Sequence, residues 1–231
     1  MKELSEETLR AYVPDTDFFD ARSADAAGIS EADLPHFLYG MARLALLKNG
    51  LFSVHAACVG NDHGKVLIVG HSGDGKTTVA LKLIREFGYR LRAGNKTVVR
   101  FEGGTLLAIA GTTTVTEVTP QGRRLFRLDD GQYETRDDLP IRAIVKVKLN
   151  DGADSTARLA PLSALHTLYP FFLDAVNADV VVSDGGRVLS GNPPDGVRER
   201  LAKDLLEVLG TVPAHAITGS LHYLIDTLRK L

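Results

Sequence analysis

Eight consecutive residues, Gly70-His71-Ser72-Gly73-Asp74-Gly75-Lys76-Thr77, match the spacing GxxxxGK[ST] without a gap. Glycine has no Cβ, so the backbone at 70, 73 and 75 can turn successive amide N–H groups inward and form an anion-binding concavity. A helix starting at Lys76 adds its positive end. Such a concavity suits a triphosphate. Lys76 reaches the β- and γ-phosphates as a point charge, and the Thr77 hydroxyl is placed to ligand Mg²⁺ bridging the same phosphates. Thr78 assists through its N–H or hydroxyl. The expected contact set is Gly70, Ser72, Gly73, Asp74, Gly75, Lys76, Thr77 and Thr78. A carboxylate beside phosphates is unfavourable, so Asp74 is expected to point outward or onto the metal. The loop reads phosphates alone, so the ligand is ATP or another nucleoside triphosphate, with Mg²⁺.

The elements that must hold this loop are legible around it. Lys65 to Val69 reads as a buried strand and Lys76 to Phe87 as a helix with Val79, Leu83 and Ile84 on one face, stopped by Gly88. Upstream, Ser30 as N-cap, Asp33, and the spacing of Leu34, Phe37, Leu38, Met41, Leu44 and Ala45 predict a helix to Asn49-Gly50. Leu51 to Val59 reads as one strand, and Asn61-Asp62-His63-Gly64 as a hairpin turn. Thr97–Phe101, Leu106–Ala110, Thr113–Val118 and Arg142–Leu149 are further β-branched runs, the consecutive short ones pairing antiparallel. Helices are expected at Pro161–Phe172, Asp195–Leu209 and Ser220–Leu231, with a strand at Ala214–Thr218. The expectation is one α/β domain over residues 31–231, a phosphate-loop nucleotide-binding domain whose mixed sheet has a substantial antiparallel part and is flanked by helices. A polar, acidic arm or flap over residues 1–30 precedes it.

Composition narrows the partners. The 231 residues are 44% hydrophobic, enough for a full core, and 27 basic against 29 acidic side chains give a formal charge of −2. No global field attracts a polyanion, so nucleic acid is not an expected partner. The uncharged stretch Gly103 to Thr116 is too short to cross a bilayer, and no membrane partner is expected. A single cysteine, Cys58, and an N-terminus without an apolar run predict a reducing, cytoplasmic location. Cys58 alternates with apolar neighbours and reads as a buried small hydrophobe.

Val54-His55-Ala56-Ala57-Cys58-Val59, the turn, Lys65-Val66-Leu67-Ile68-Val69, the phosphate loop and Gly88-Tyr89-Arg90-Leu91-Arg92-Ala93 together resemble the core of the HPr kinase/phosphorylase family. More broadly they are similar to the phosphoenolpyruvate carboxykinase-like superfamily. The resemblance covers about fifty residues, 51 to 100. It implies an ATP- and Mg²⁺-dependent phosphotransferase acting on a hydroxyl of a peptide, protein or small molecule. It also implies His55 beside the transferring group and assembly into homo-oligomers. Family members carry an aspartate pair after the strand that corresponds to Gly88–Ala93, one for the metal and one as base. Here those places hold Gly94 and Asn95. Asn95 offers an amide oxygen to the metal but accepts no proton.

That departure leaves three readings open. A base can come from His55 or from the acidic run Asp129, Asp130, Glu134, Asp137 and Asp138, which otherwise reads as a solvated loop. The acceptor can already be an anion. Or the chain binds nucleotide and transfers nothing, as a regulatory or scaffold protein derived from such a kinase. Gln121-Gly122-Arg123-Arg124 reads as a mobile hairpin tip whose guanidinium groups either face water or meet an anionic acceptor.

Overall fold

A computed structural model describes residues 42–43, 45–119, 122–173, 182–184, 187–189 and 195–231. The arm expected over residues 1–30 and most of the helix expected after Ser30 lie outside them; residues 45–48 are helical.

From residue 51 onward the described residues form, in order, β1 (Leu51–Val54), β2 (Ala56–Asn61), β3 (Gly64–Val69), α1 (Lys76–Phe87), β4 (Arg90–Ala93), β5 (Thr97–Glu102), β6 (Thr105–Gly111), β7 (Thr114–Thr119), β8 (Gly122–Arg127), β9 (Ile141–Leu149), β10 (Ser155–Leu159), α2 (Pro161–Leu173), β11 (Val182–Asp184), β12 (Arg187–Leu189), α3 (Val197–Leu209), β13 (Ala214–Gly219) and α4 (Leu221–Lys230). The fold is a mixed α/β one. Its main sheet has the order β10-β13-β9-β3-β2-β4. β13, β9 and β3 run parallel, while β10, β2 and β4 join their neighbours antiparallel. A smaller antiparallel sheet, β1-β5-β6, and the hairpin β7-β8 complete the part around the phosphate loop.

Strand alternation sends successive side chains of the main sheet to two separate cores. Ala57, Val59, Val66, Ile68, Val145, Val147 and Ile217 face one layer, where they meet Val79, Leu83, Leu224 and Leu228 of α1 and α4. Cys58, Leu67, Val69 and Ile144 face the other, packed on Leu168 and Phe172 of α2, Leu201 and Leu205 of α3, and Val99 and Ala108 of the small sheet. Each large apolar side chain buried in this way contributes about 1.5–3 kcal/mol.

α1 follows its sequence signals. Val79, Ala80, Leu83 and Ile84 are buried at helical spacing, and Gly88 at φ 69° ends the helix, with the Tyr89 N–H donating back to the Leu83 carbonyl at 3.3 Å. α4 is capped by Ser220, whose hydroxyl accepts the Tyr223 N–H at 3.3 Å.

Two expectations change. The run Leu51–Val59 is not one strand: it breaks at His55, so that β1 pairs with β5 in the small sheet and β2 with β3 and β4 in the large one. Phe52, Val54, Ala56 and Cys58 still alternate into one core across the break, which is why the sequence reads as continuous. Of Gln121-Gly122-Arg123-Arg124, expected as a hairpin tip, residues 122–124 already belong to strand β8, because Thr114–Thr119 offers that strand a full antiparallel partner with Glu117 opposite Arg124. Among the described residues no helix is long and apolar enough to cross a membrane.

Candidate functional site

The phosphate loop joins the carboxyl end of β3 to α1, beside the carboxyl end of the parallel strand β9, with Val69 opposite Lys146. In open α/β sheets this edge is where ligands bind. Gly73 and Gly75 both hold φ at 90°, a left-handed conformation that side chains rarely adopt. A Cβ on Gly75 would also lie 2.7 Å from the Cβ of Leu149 at the end of β9. Asp74 fastens the loop to itself and to the sheet. Its Oδ2 accepts the His71 N–H at 2.6 Å, its own N–H donates to the His71 carbonyl at 3.2 Å, and its carbonyl accepts the Leu149 N–H at 2.9 Å.

Lys76 lies across this loop. Its Nζ donates to the Gly70 carbonyl at 2.7 Å and to the His71 carbonyl at 2.9 Å. The side chain is buried, and that burial lowers the ammonium's pKa; the Asp74 carboxylate opposes the shift and the nearby Lys96 charge adds to it. α1 opens without a side-chain cap and without an acidic residue in its first turn. Its first helical bond runs from the Val79 N–H to the Gly75 carbonyl at 2.9 Å. The N–H groups of Lys76, Thr77 and Thr78 precede that bond and stand at the start of the helix.

Register brings His55 and Asn95 to the same edge. Ala56 pairs with Val69, which puts His55, half-buried at the strand break, next to the start of the loop. Cys58 pairs with Ala93, so the chain leaves β4 at this edge as well. β4 is two strands from β3, about 10 Å at the usual strand spacing. The turn after β4 is held by Thr112: its carbonyl accepts the Gly94 N–H at 2.9 Å and its Oγ1 accepts the N–H groups of Asn95 at 2.9 Å and Lys96 at 3.2 Å. The Thr112 N–H returns a bond to the Lys96 carbonyl at 3.0 Å. Asn95 is exposed, and Gly94 is buried with no room for a side chain: a Cβ there would lie 2.2 Å from the Thr114 carbonyl oxygen.

Arg123 and Arg124 lie on strand β8. Arg124 stands opposite Glu117, whose carboxylate accepts from Arg85 at 2.8 Å; that hydrogen bond holds the carboxyl below its usual range. Arg85 is nine residues along α1 from Lys76, about 13 Å at helical rise. Arg123 occupies the register position opposite Val118, one step further along the hairpin.

The acidic run is not a uniformly solvated loop. Glu134 is buried and accepts from Arg136 Nη2 at 2.7 Å, Arg136 Nε at 2.8 Å and Arg90 Nη2 at 3.2 Å. These guanidinium bonds, Arg136 first, bring its pKa down to about 2 against the cost of burial. Beside it the fully buried Lys65 donates to the carbonyls of Arg136, Leu139 and Ala108. Asp137 pairs with Arg92. Lys65 pairs with Gly60 at the amino end of β3, four residues from Val69, about 13 Å from the loop. Glu134 is therefore a structural counter-ion there. Cys58 is buried, as expected, and burial pushes its thiol up to about 12.

Lys96 and Thr112 belong to the site geometry and were not singled out by sequence. Lys96 follows Asn95 directly, and that adjacency is its only sequence signal; Thr112 is seventeen positions away from Asn95 and becomes its partner through the β5-β6 hairpin.

No family model matches the chain, and no curated protein matches it. Among solved structures, the HPr(Ser) kinase/phosphatase from Coxiella burnetii is similar at 12% identity and a TM-score of 0.42, over 78% of this chain and 92% of that one. A likeness of that degree concerns the course of the chain and carries nothing about chemistry.

Proposed function

We propose that the chain binds a Mg²⁺-nucleoside triphosphate, ATP or a relative, and transfers its γ-phosphoryl group to an acceptor. The observation that carries this reading is the loop itself. Two glycines in left-handed geometry, an uncapped helix start and a lysine ammonium anchored over the loop carbonyls form one anion-binding cradle. Lys76, Thr77 and the loop amides would hold the phosphates, and His55, whose backbone lies next to the start of the loop, is the residue the family resemblance assigns to the reacting end.

The oxygen donors present suit Mg²⁺ brought in by the phosphates. Thr77 offers a hydroxyl and Asn95 an amide oxygen, the one or two protein ligands such an ion commonly takes. Among the described residues no three His, Cys, Asp or Glu side chains gather as a stand-alone metal site. When bound, the ion would neutralise charge on the phosphates.

Calorimetry with Mg·ATP tests the reading. Wild-type protein should bind, and Lys76→Ala should weaken binding by about 100-fold, the scale of a lost charge-assisted contact and its phosphate attraction. Equal binding by both proteins, or none by the wild type, rejects it.

A second reading has its own support: the chain binds nucleotide without transferring it. Position 94 is closed to any side chain and Asn95 takes no proton, so a carboxylate base is missing from the turn that carries it in the resembling family. Labelled-phosphate transfer that appears only in Asn95→Asp favours this reading, and transfer by the wild type eliminates it.

A further inference from the structure

We propose that the outer edge of β10 pairs with the same edge of a second copy of the chain, joining two main sheets about a two-fold axis. The two ends of the main sheet differ. At β4 the free edge is closed by the chain itself: Leu91 bridges to Tyr133, and the Glu134 N–H donates to the Leu91 carbonyl at 2.8 Å. At β10 nothing among the described residues pairs beyond the strand. Ser155, Thr156, Ala157 and Arg158 are all exposed, and the register with β13 is unbroken from Ser155 to Leu159. A row of backbone donors and acceptors displayed in this way is a template for another strand, which proline, bulges or several charges ordinarily block. β10 has no proline, no bulge and a single charge, Arg158.

The charges select both the partner and the register. An antiparallel edge that meets its own copy across a two-fold axis has one residue facing itself, with the others paired symmetrically about it. With Thr156 at the axis, Ser155 faces Ala157 and Asp154 faces Arg158, each twice. Residues 154, 156 and 158 share one face of the sheet, so the acid meets the guanidinium on the same side, flanking a threonine pair. Centring on Ala157 leaves Arg158 opposite a threonine, and centring on Arg158 sets two guanidinium groups against each other. Within one chain, among the described residues, Arg158 has no ion pair or hydrogen bond; its neighbour across the ladder is His215. Asp154 is exposed, and its Oδ1 accepts the Ser220 N–H at 2.9 Å, which orients the carboxylate and leaves Oδ2 to accept from the partner. The pairing uses no residue of the phosphate loop and stands apart from nucleotide binding.

Sedimentation of the full chain from about 5 to about 500 µM should show a reversible monomer–dimer equilibrium, weak because so short an edge buries less area than a permanent dimer. Arg158→Asp and Asp154→Arg each set like charges face to face at both places and should weaken dimerisation at least about tenfold. Mixed in equal amounts, the two variants should associate about as tightly as wild type, because every mixed pair again puts an acid opposite a base. Thermal melting checks that each variant folds. Asp154→Arg also removes the acceptor of the Ser220 N–H, so a cysteine series gives a reading that does not depend on it. Thr156→Cys in oxidised glutathione should cross-link two copies, and Ala157→Cys, offset across the axis, should do so at least about tenfold more slowly. The native Cys58 is buried and does not compete. A monomer at every concentration leaves the edge to some other chain and overturns the proposal. A dimer equally tight in all the charge variants, or cross-linking at 157 as fast as at 156, overturns it too.

Discussion

The Nζ of Lys76 sits 2.7 Å from the carbonyl oxygen of Gly70, the residue that begins the same loop. With the His71 carbonyl at 2.9 Å, two of the ammonium's three hydrogens are held by backbone before any ligand arrives. The side chain therefore pays its ordering entropy on folding, and a phosphate meets a charge already in place. Lys76→Met should leave the Gly70 and His71 carbonyls without this donor and cost about 1–3 kcal/mol of stability, separately from its loss of triphosphate binding. Chemical denaturation without nucleotide measures that cost; no change in the midpoint would mean that the two bonds do not persist in solution.

Gly94→Asp, the substitution that would rebuild the first member of the acidic pair, should damage the fold. Its Cβ would meet the Thr114 carbonyl oxygen at 2.2 Å and Val115 Cγ1 at 2.9 Å. Overpacking against backbone costs about 1–3 kcal/mol or more. Asn95→Asp, at an exposed position, should melt within a degree or two of wild type. Equal melting temperatures for the two variants would contradict this packing.

Thr112→Val keeps the shape and removes the acceptor that serves Asn95 and Lys96. Two amide N–H groups lose their partner, for a loss of about 1–2 kcal/mol. Amide exchange at 95 and 96 should quicken in Thr112→Val and return to wild-type rates in Thr112→Ser. Unchanged exchange in the valine variant would remove Thr112 from its role in the turn.

Stability should fall in acid through Glu134. Its folded pKa, about 2, is below the ordinary 4.5, so its contribution is fully present above pH 4.5 and is lost as pH drops toward 2. The shift corresponds to about 3 kcal/mol at neutral pH. Glu134→Gln should lower neutral-pH stability by a similar amount and flatten the decline between pH 4.5 and 2. Parallel acid limbs in wild type and variant would show that another carboxylate carries the effect.

Local signals read well where a residue's role is set by its immediate neighbours. The glycines and lysine of the loop, the helix from Lys76 to its Gly88 stop, and the helix expected from Ser220 were all legible for that reason. The break at His55 was not, because Phe52, Val54, Ala56 and Cys58 keep one alternation across two sheets and only hydrogen-bond partners change. Glu134 was misread because a buried carboxylate looks like a solvated one until Arg90, forty-four residues away, joins its near neighbour Arg136 on it. Thr112 was invisible for the same reason: its partners are brought near by a hairpin. The arginines at 123 and 124 read either as solvated or as anion contacts, and only strand pairing sets Arg124 opposite Glu117, which bonds Arg85 of α1.

Residues 54 and 56 belong to different sheets with one residue between them, and that residue is a histidine. No slack connector lies there to absorb motion. The two sheets are thus joined by a single residue at the start of the glycine-rich loop, so the backbone at His55 cannot shift without shifting the end of β1 or the start of β2.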